Sequence, residues 1–144
     1  MIDSLMLVDD EDLFHLVFED SCSLLDIALS LKSLKSSDEA AALFKKWHTD
    51  PQDRPECVFV DLNIIGSSFD GIELIRKINF EYGNHVVIGI ISSSNEPEEQ
   101  AKAVQAGAQF WIIKSDDIEP RLEEFKKDYE GYRKRTNPFK IYRS

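Results

Sequence analysis

The chain has 144 residues, enough for one domain with a single hydrophobic core. Apolar residues make up 42% of it and charged residues 31%, which indicates a folded rather than a disordered protein. The formal net charge of −10 argues against nucleic acid or an anionic membrane surface as a partner. The longest apolar run, residues 86–91, is too short to span a bilayer, and residues 1–10 lack the basic region of a signal peptide, so we expect a cytoplasmic protein.

Apolar runs alternate with helical patterns along the whole chain. Strands are predicted at residues 5–8, 27–33, 57–63, 85–93 and 109–114. Helices are predicted at about residues 12–24, 37–47, 72–82, 95–107 and 116–135. We expect one domain over residues 1–132 and a C-terminal tail over residues 133–144.

Three local features lead to further predictions. Leu13, Leu16, Val17 and Leu24 recur at helical spacing, which predicts that they form the buried face of the first helix. Ser37 is predicted to cap the second helix. The three histidines are scattered without the spacing of metal ligands, so we expect them at the surface: His15, His48 and His85.

The order of elements defines the fold class. Five repeats of a strand followed by a helix, with strands that are apolar throughout, predict a parallel sheet joined by right-handed crossovers. Helices then cover both faces of the sheet, as in doubly wound α/β folds. Ligands bind to such sheets beyond the carboxyl ends of the strands.

Polar and charged groups follow the predicted strands at that edge. Asp9 and Asp10 follow the first strand, Asp61 the third, Ser92 ends the fourth, and Lys114 ends the fifth. Three carboxylates that share one site repel one another unless a cation compensates their charge. A hard divalent ion with oxygen ligands meets that need, and Mg²⁺ is our first choice.

Carboxylates, Mg²⁺, a hydroxyl and a lysine together favour phosphoryl transfer. The transferred group carries negative charge on its oxygens, and a metal ion and a lysine neutralise that charge. A carboxylate can also act as the nucleophile and form an acyl phosphate. Asp61 is the best candidate because it stands alone at the end of its strand, in the middle of the predicted cluster.

The motifs LMLVDDE, VFVDLN, GIISSS and QAGAQFWIIK, in this order, resemble the receiver domain of bacterial two-component response regulators. The resemblance covers about residues 4–132. It implies the flavodoxin-like (βα)5 fold, with a five-stranded parallel sheet in the order 2-1-3-4-5. It also implies a protein that is not an enzyme, beyond assisting its own phosphorylation and dephosphorylation.

The resemblance assigns roles to the acidic residues. Asp61 would accept a phosphoryl group from a histidine kinase or a phosphotransfer protein. Asp10 would bind Mg²⁺ directly and Asp9 through water, and Asp61 and the backbone carbonyl of Asn63 would complete the protein ligands.

The resemblance assigns further roles to residues in and after the last two predicted strands, and to Asn63 in the third. Ser92 would bond the new phosphoryl group, Lys114 would pair with one of its oxygens, and Trp111 stands at the position of the switch aromatic residue. Ser93 is small enough to leave access to Asp61. Asn63 and Ser94 occupy positions that tune hydrolysis of the phosphate.

The sequence departs from the family pattern at two loops. Ser115 stands where the family has a proline after a cis bond, so we predict either a trans bond with a reshaped loop or a strained cis bond. The loop after Asp61 lacks the usual proline and is two residues longer than expected. These differences concern the surface that faces the kinase.

The favoured hypothesis is a stand-alone receiver that signals to a downstream protein through its helix 4–strand 5–helix 5 face, as a monomer or a weak homodimer. One alternative is a receiver-like interaction module that is not phosphorylated, which Ser115 favours slightly. A second is a Mg²⁺-dependent phosphatase, which is disfavoured because Asn63 stands where those enzymes have a second acid.

Overall fold

The computed structural model describes residues 2–64, 67–115 and 117–143. Six strands form one parallel sheet in the order β2-β1-β3-β4-β5-β6. The strands are β1 (Ile2–Val8), β2 (Ala28–Leu34), β3 (Cys57–Asp61), β4 (Val87–Ser92), β5 (Phe110–Ile113) and β6 (Lys140–Tyr142). The helices are α1 (Asp12–Leu24), α2 (Ser37–Phe44), α3 (Gly71–Tyr82), α4 (Pro97–Ala106) and α5 (Glu119–Arg133). The predicted doubly wound α/β architecture and the order of the first five strands are confirmed.

Two hydrophobic clusters lie on opposite faces of the sheet. One cluster packs α2, α3 and α4 against the side chains of Val60, Ile90 and Trp111. The other packs α1 and α5 against Phe59 and Phe110. Strands that are buried on both faces are apolar at every position, which explains the continuous apolar runs in the sequence.

An aromatic group forms the centre of the α1–α5 side. The ring centroids of Phe59, Phe110 and Phe125 lie 5.1, 5.1 and 4.6 Å apart, two of the pairs edge to face and one tilted. Such pairs add about 0.5–1.5 kcal/mol each to the free energy gained by burying their area. The group joins β3, β5 and α5, so it fixes the strand end that carries Asp61 relative to the strand that leads to Lys114.

Within the segment predicted as a C-terminal tail, residues 133–144, the structure has a short strand over residues 140–142. These residues form β6, which pairs in parallel with β5 along the edge that the prediction left open. The segment contains Pro138 and only a three-residue strand, so its pattern is too short to predict a strand.

Two predictions about helices also need correction. The buried residues of α1 are on the Phe14, Phe18 and Cys22 side, whereas Leu13, Leu16 and Leu24 are 64–72% exposed. The cap of α2 is Ser36, whose side chain accepts a hydrogen bond from the backbone N–H of Glu39, so the helix starts at Ser37 itself. Among the described residues no helix combines the length and the apolar character needed to cross a membrane.

Candidate functional site

The carboxyl ends of three parallel strands bring distant residues together. Asp9 follows β1, Asp61 ends β3, and Lys114 follows β5. The pairing of Val8 with Val60 aligns the ends of β1 and β3. Asp9 is fully buried and Asp61 is 6% exposed, so two carboxyl groups lie below the surface at this edge of the sheet.

Lys114 is the cation at the centre of this group. Its Nζ lies 2.6 Å from Oδ2 of Asp9, 3.7 Å from Oδ2 of Asp61 and 3.2 Å from Oε1 of Glu11. The same ammonium group lies 4.3 Å from the ring centroid of Phe14, a cation–π contact. A single ammonium therefore balances three carboxylates.

This charge imbalance changes the pKa values of the site. Burial raises the pKa of Asp61 to about 7; Lys114 lowers it in part, whereas the negative charges of Asp9, Asp10 and Glu11 raise it further. Burial lowers the pKa of Lys114, but the hydrogen bond and the attraction from Asp9, together with Asp61, outweigh burial, so that this pKa is raised. Lys114 is therefore charged at neutral pH, while a large share of Asp61 is protonated.

The carboxylates fit a divalent cation. Oxygens of Asp9, Glu11 and Asp61 all lie within 4.8 Å of one another, a spacing at which one ion can bind all three. Hard oxygen donors and a net negative charge are what Mg²⁺ requires. These three residues would hold the ion, and its charge would favour the ionised form of Asp61.

Two of the predicted metal ligands lie beside this group. Asp10 is half-buried and contributes to the negative potential at Asp61. Asn63 is exposed at the start of the loop after β3. Direct binding by Asp10 and by the carbonyl of Asn63 stays a prediction.

Glu11 and Phe14 were not predicted from the sequence, although both contact Lys114. Glu11 directly follows the predicted acid pair, and Phe14 lies one helical turn further along, so the start of the helix was the available signal. Both residues reach the site because α1 begins immediately after β1.

The prediction that His15 lies at the surface is wrong. His15 is 6% exposed, and its Nε2–H donates a hydrogen bond to the carbonyl oxygen of Asp9 at 2.6 Å. The backbone N–H of Glu11 donates to Oδ1 of Asp9 at 2.8 Å. Asp9 is thus held at its backbone and at its side chain, which fixes the carboxylate that faces Lys114.

The loop after β3 approaches Asp61 closely. A Cβ atom on Gly71 would overlap the carbonyl oxygen of Asp61, so only glycine allows α3 to begin at this point. The backbone N–H of Gly71 donates to the carbonyl oxygen of Leu62 at 3.1 Å. Residues 65 and 66, part of the loop predicted to be longer than usual, lie outside the described residues.

The described part of this loop is tied to the start of α2. Ser37 donates from its hydroxyl to the carbonyl of Phe69 at 2.6 Å and from its backbone to Oγ of Ser67 at 3.0 Å. The backbone N–H of Ser68 donates to Oδ2 of Asp38 at 3.0 Å. These three hydrogen bonds anchor the loop on the side of the site away from α1.

The loop after β4 connects the site to Trp111. Ser92 is 2% exposed, and its Oγ accepts a hydrogen bond from the backbone N–H of Ser94 at 3.1 Å. The carbonyl of Ser94 accepts from Nε1–H of the fully buried Trp111 at 3.0 Å. Ser93 is exposed at the mouth of the site. The sequence predicted each of these positions, but not the hydrogen bonds that join them.

The peptide bonds of the described residues are all trans, and the bond before Ser115 is among them. Of the two predicted forms of this bond, trans and strained cis, the trans form is therefore the one observed. Ser115 donates from its hydroxyl to the carbonyl of Asp117 at 3.0 Å, which closes the turn toward α5.

Comparison with known proteins identifies the family. Residues 5–124 match the model of the response regulator receiver domain. The chain belongs to this family. Receiver domains are in general signalling domains without enzymatic activity of their own, are phosphorylated on an aspartate and bind Mg²⁺ in an acidic pocket, and they interact with histidine kinases or phosphotransfer proteins and with downstream targets.

Solved structures share the receiver fold. NtrX from Brucella abortus is 24% identical, with a TM-score of 0.68, over 90% of this chain and 28% of the NtrX chain. The phosphorylated cyanobacterial phytochrome response regulator RcpA is 17% identical, with a TM-score of 0.72, over 95% of this chain and 97% of its own. The Mn²⁺-bound response regulator Rcp1 is 17% identical, with a TM-score of 0.70, over 90% and 92% of the two chains. No curated protein matches the sequence.

Proposed function

We propose that this receiver accepts a phosphoryl group on Asp61 from a histidine kinase or a phosphotransfer protein, in a reaction that requires Mg²⁺. The observation that carries the proposal is a buried carboxyl group that shares Lys114 with Asp9 and has its pKa raised to about 7. A carboxylate that has lost its hydration shell and lies beside a fixed cation is suited to attack phosphorus.

The transfer assigns a task to each residue at the site. An oxygen of Asp61 forms a bond to phosphorus while the bond from phosphorus to the donor's imidazole nitrogen breaks, and the imidazole keeps the electron pair. Lys114 lies 3.7 Å from Asp61 and neutralises charge on the phosphoryl oxygens. Mg²⁺, when bound, supplies a second positive charge for those oxygens.

An open pocket on which the phosphodonor can dock lies beside Asp61, because Lys114, which contacts Asp61, is one of the residues that line it. Its volume is about 420 Å³, and the residues that line it include Phe14, Ser93 and Lys114. The exposed side chain of Leu13 lies at its rim, so an apolar helix of the donor can cover it. The small side chain at residue 93 keeps the path to the site open.

Phosphorylation would then be transmitted through Ser92 and Trp111. The Ser92 hydroxyl can turn toward the new phosphoryl group, and Ser94 and Trp111 follow because hydrogen bonds link them to it. The resulting change on the face formed by α4, β5 and α5 would alter affinity for a downstream protein. A monomer or weak homodimer, a cytoplasmic location and the absence of a nucleic-acid partner stay predictions.

Labelling with acetyl phosphate and Mg²⁺ tests the assignment. Mass spectrometry should detect one added phosphoryl group on the wild type and none on Asp61→Asn. Asp50→Asn, which changes an exposed aspartate away from the site, is the matched control and should be labelled like the wild type. Undiminished labelling of Asp61→Asn would show that another residue is the acceptor; no labelling of the wild type would favour the receiver-like module that is not phosphorylated.

A further inference from the structure

The outer edge of β5 is covered by β6, and we call residues 134–143, which contain this strand, the β6 segment. The register pairs Phe110 with Lys140, Trp111 with Ile141, and Ile112 with Tyr142. The edge strand of a parallel sheet presents a row of unpaired N–H and C=O groups that readily accept another strand. In this receiver the chain's own strand fills that row.

Side chains of the β6 segment bind on both faces of the sheet. Phe139 and Ile141 are half-buried against the cluster that contains Trp111. Tyr142 is 1% exposed, and its ring lies 6.1 Å from that of Phe125 in the opposite cluster. The edge of β5 therefore selects an extended segment with apolar side chains on both sides.

Polar contacts with α5 hold the segment in place. We call the contacts of Lys140 and Tyr142 with α5 the β6 latch. The hydroxyl of Tyr142 donates to Oδ2 of Asp128 at 2.7 Å and lies 2.7 Å from the hydroxyl of Tyr132. Lys140 contacts Oδ2 of Asp128 at 2.9 Å and Oε1 of Glu124 at 2.7 Å. Lys140 and Asp128 are partly exposed, whereas Tyr142 is buried in the cluster that contains Phe125, so opening of the latch withdraws that one ring from the cluster.

The β6 segment also lies at the end of the path of contacts that leaves the phosphorylation site. Ser92 is bonded to Ser94, Ser94 is bonded to Trp111, and Trp111 pairs with Ile141. Trp111 is fully buried, so its indole cannot move without disturbing the side chains that pack on it. Ile141 belongs to those side chains.

We propose that the edge of β5 is a binding site for an extended protein strand, filled by residues 140–142 of the same chain until phosphorylation weakens their docking through Trp111. The site then accepts a strand of similar pattern from a downstream protein, by addition to the sheet. This proposal rests on the proposed phosphorylation of Asp61 and specifies how the phosphorylated receiver is recognised.

Hydrogen–deuterium exchange of the full chain, with Mg²⁺ and the phosphoryl mimic fluoroberyllate, tests the coupling. We expect the peptide that covers residues 138–143 to exchange at least threefold faster when both are present, and to keep its rate in Asp61→Asn. Fluorescence of Trp111, measured in a Trp47→Phe background because Trp47 is the second tryptophan, reports separately on the switch itself.

Two outcomes separate this proposal from the function on which it rests. A change in Trp111 fluorescence without faster exchange of residues 138–143 overturns the strand-release proposal and leaves phosphorylation intact. No response of either signal overturns both. Faster exchange that persists in Asp61→Asn shows that the release does not depend on phosphorylation, and this result also overturns the proposal.

The coupling must act in both directions, because linkage of binding free energies is reciprocal. Ile141→Ala and Tyr142→Phe weaken the docking of β6, so each should raise the affinity for fluoroberyllate by about fivefold. Arg143→Ala changes an exposed side chain in the same segment and should leave the affinity unchanged. Unaltered affinity in both Ile141→Ala and Tyr142→Phe, with folding confirmed by circular dichroism, would contradict the proposal.

Discussion

Among the described residues of the receiver, two lysines each contact at least two carboxylates, one at the phosphorylation site and one beside β6. The side chain of Lys114 is 10% exposed, whereas that of Lys140 is 41% exposed. Burial raises the pKa of Asp61 to about 7. Burial also acts on Asp128, but hydrogen bonds from Lys140 and Tyr142 outweigh it, so the pKa of Asp128 is lowered.

The same residue types thus serve opposite purposes. At the β6 latch each carboxylate has enough hydrogen-bond donors to compensate its charge, and these contacts stabilise the fold. At the phosphorylation site one ammonium serves three carboxylates, which leaves the negative charge at Asp61 poorly compensated until a metal ion binds. The burial of each carboxylate and the number of donors around it, rather than the residue types, decide which cluster is reactive.

The largest effect that we expect is on the stability of Asp61→Asn. Because the folded protein holds the Asp61 proton more tightly than the unfolded chain, its stability falls as the pH rises from about 4 to about 7. Removing the charge should therefore stabilise the metal-free protein at pH 8 by up to about 4 kcal/mol, and by less at pH 5. Urea unfolding in EDTA at both pH values measures this.

Asp128→Asn is the matched variant at the latch, where we expect a change of the opposite sign. It loses charge-assisted hydrogen bonds from Lys140 and Tyr142, so it should be less stable at pH 8 by about 1–2 kcal/mol. If both variants change stability in the same direction, the contrast between the clusters does not hold.

The two lysines provide the next comparison. Lys114→Gln leaves buried Asp9 and Asp61 without their counterion and should cost about 3 kcal/mol in EDTA. Saturating Mg²⁺ should restore much of that loss, because the ion binds the folded state only. Lys140→Gln should cost less than about 1 kcal/mol, with no dependence on Mg²⁺. Thermal unfolding with and without Mg²⁺ checks both predictions. Equal losses of stability in the two variants would refute the assignment of Lys114 as the counterion of Asp9 and Asp61.

The smallest effect that we expect is the release of protons when Mg²⁺ binds. With a pKa of about 7, Asp61 is half protonated at pH 7, and Mg²⁺ binding should release about half a proton. A pH indicator in weak buffer measures the release. Asp61→Asn should release none, whereas the Asp128→Asn variant should behave like the wild type; release from Asp61→Asn would assign the proton to another group.

The sequence predicted the sheet and the meeting of the charged residues for one physical reason. Parallel strands end at the same edge of the sheet, and the strand order implied by the family resemblance places β1 beside β3, so Asp9, Asp61 and Lys114 were expected to converge. The contacts of Glu11 and Phe14 with Lys114 depend on the angle at which α1 leaves β1. No spacing in the sequence encodes that angle.

The buried face of α1 illustrates a different limit. Leucines recur on one side of the helix, and Phe14, Phe18 and Cys22 recur on another, so helical periodicity alone does not choose between them. The aromatic side is buried because it packs on Phe59, where the rings of Phe18 and Phe59 lie 5.2 Å apart. Tertiary packing therefore determines which side is buried, and one of the exposed leucines, Leu13, lines the pocket that contains Lys114.

The pairing of β5 with residues that lie beyond α5 has a consequence for synthesis of the protein. Once Phe125 of α5 has packed on Phe110, the aromatic centre of the sheet is assembled, but β5 has no neighbour on its outer side until residues 140–142 pair with it. Unpaired strand edges in incompletely folded chains promote aggregation. A stop codon before residue 140 should therefore yield a receiver that aggregates more readily than the full chain at the same concentration.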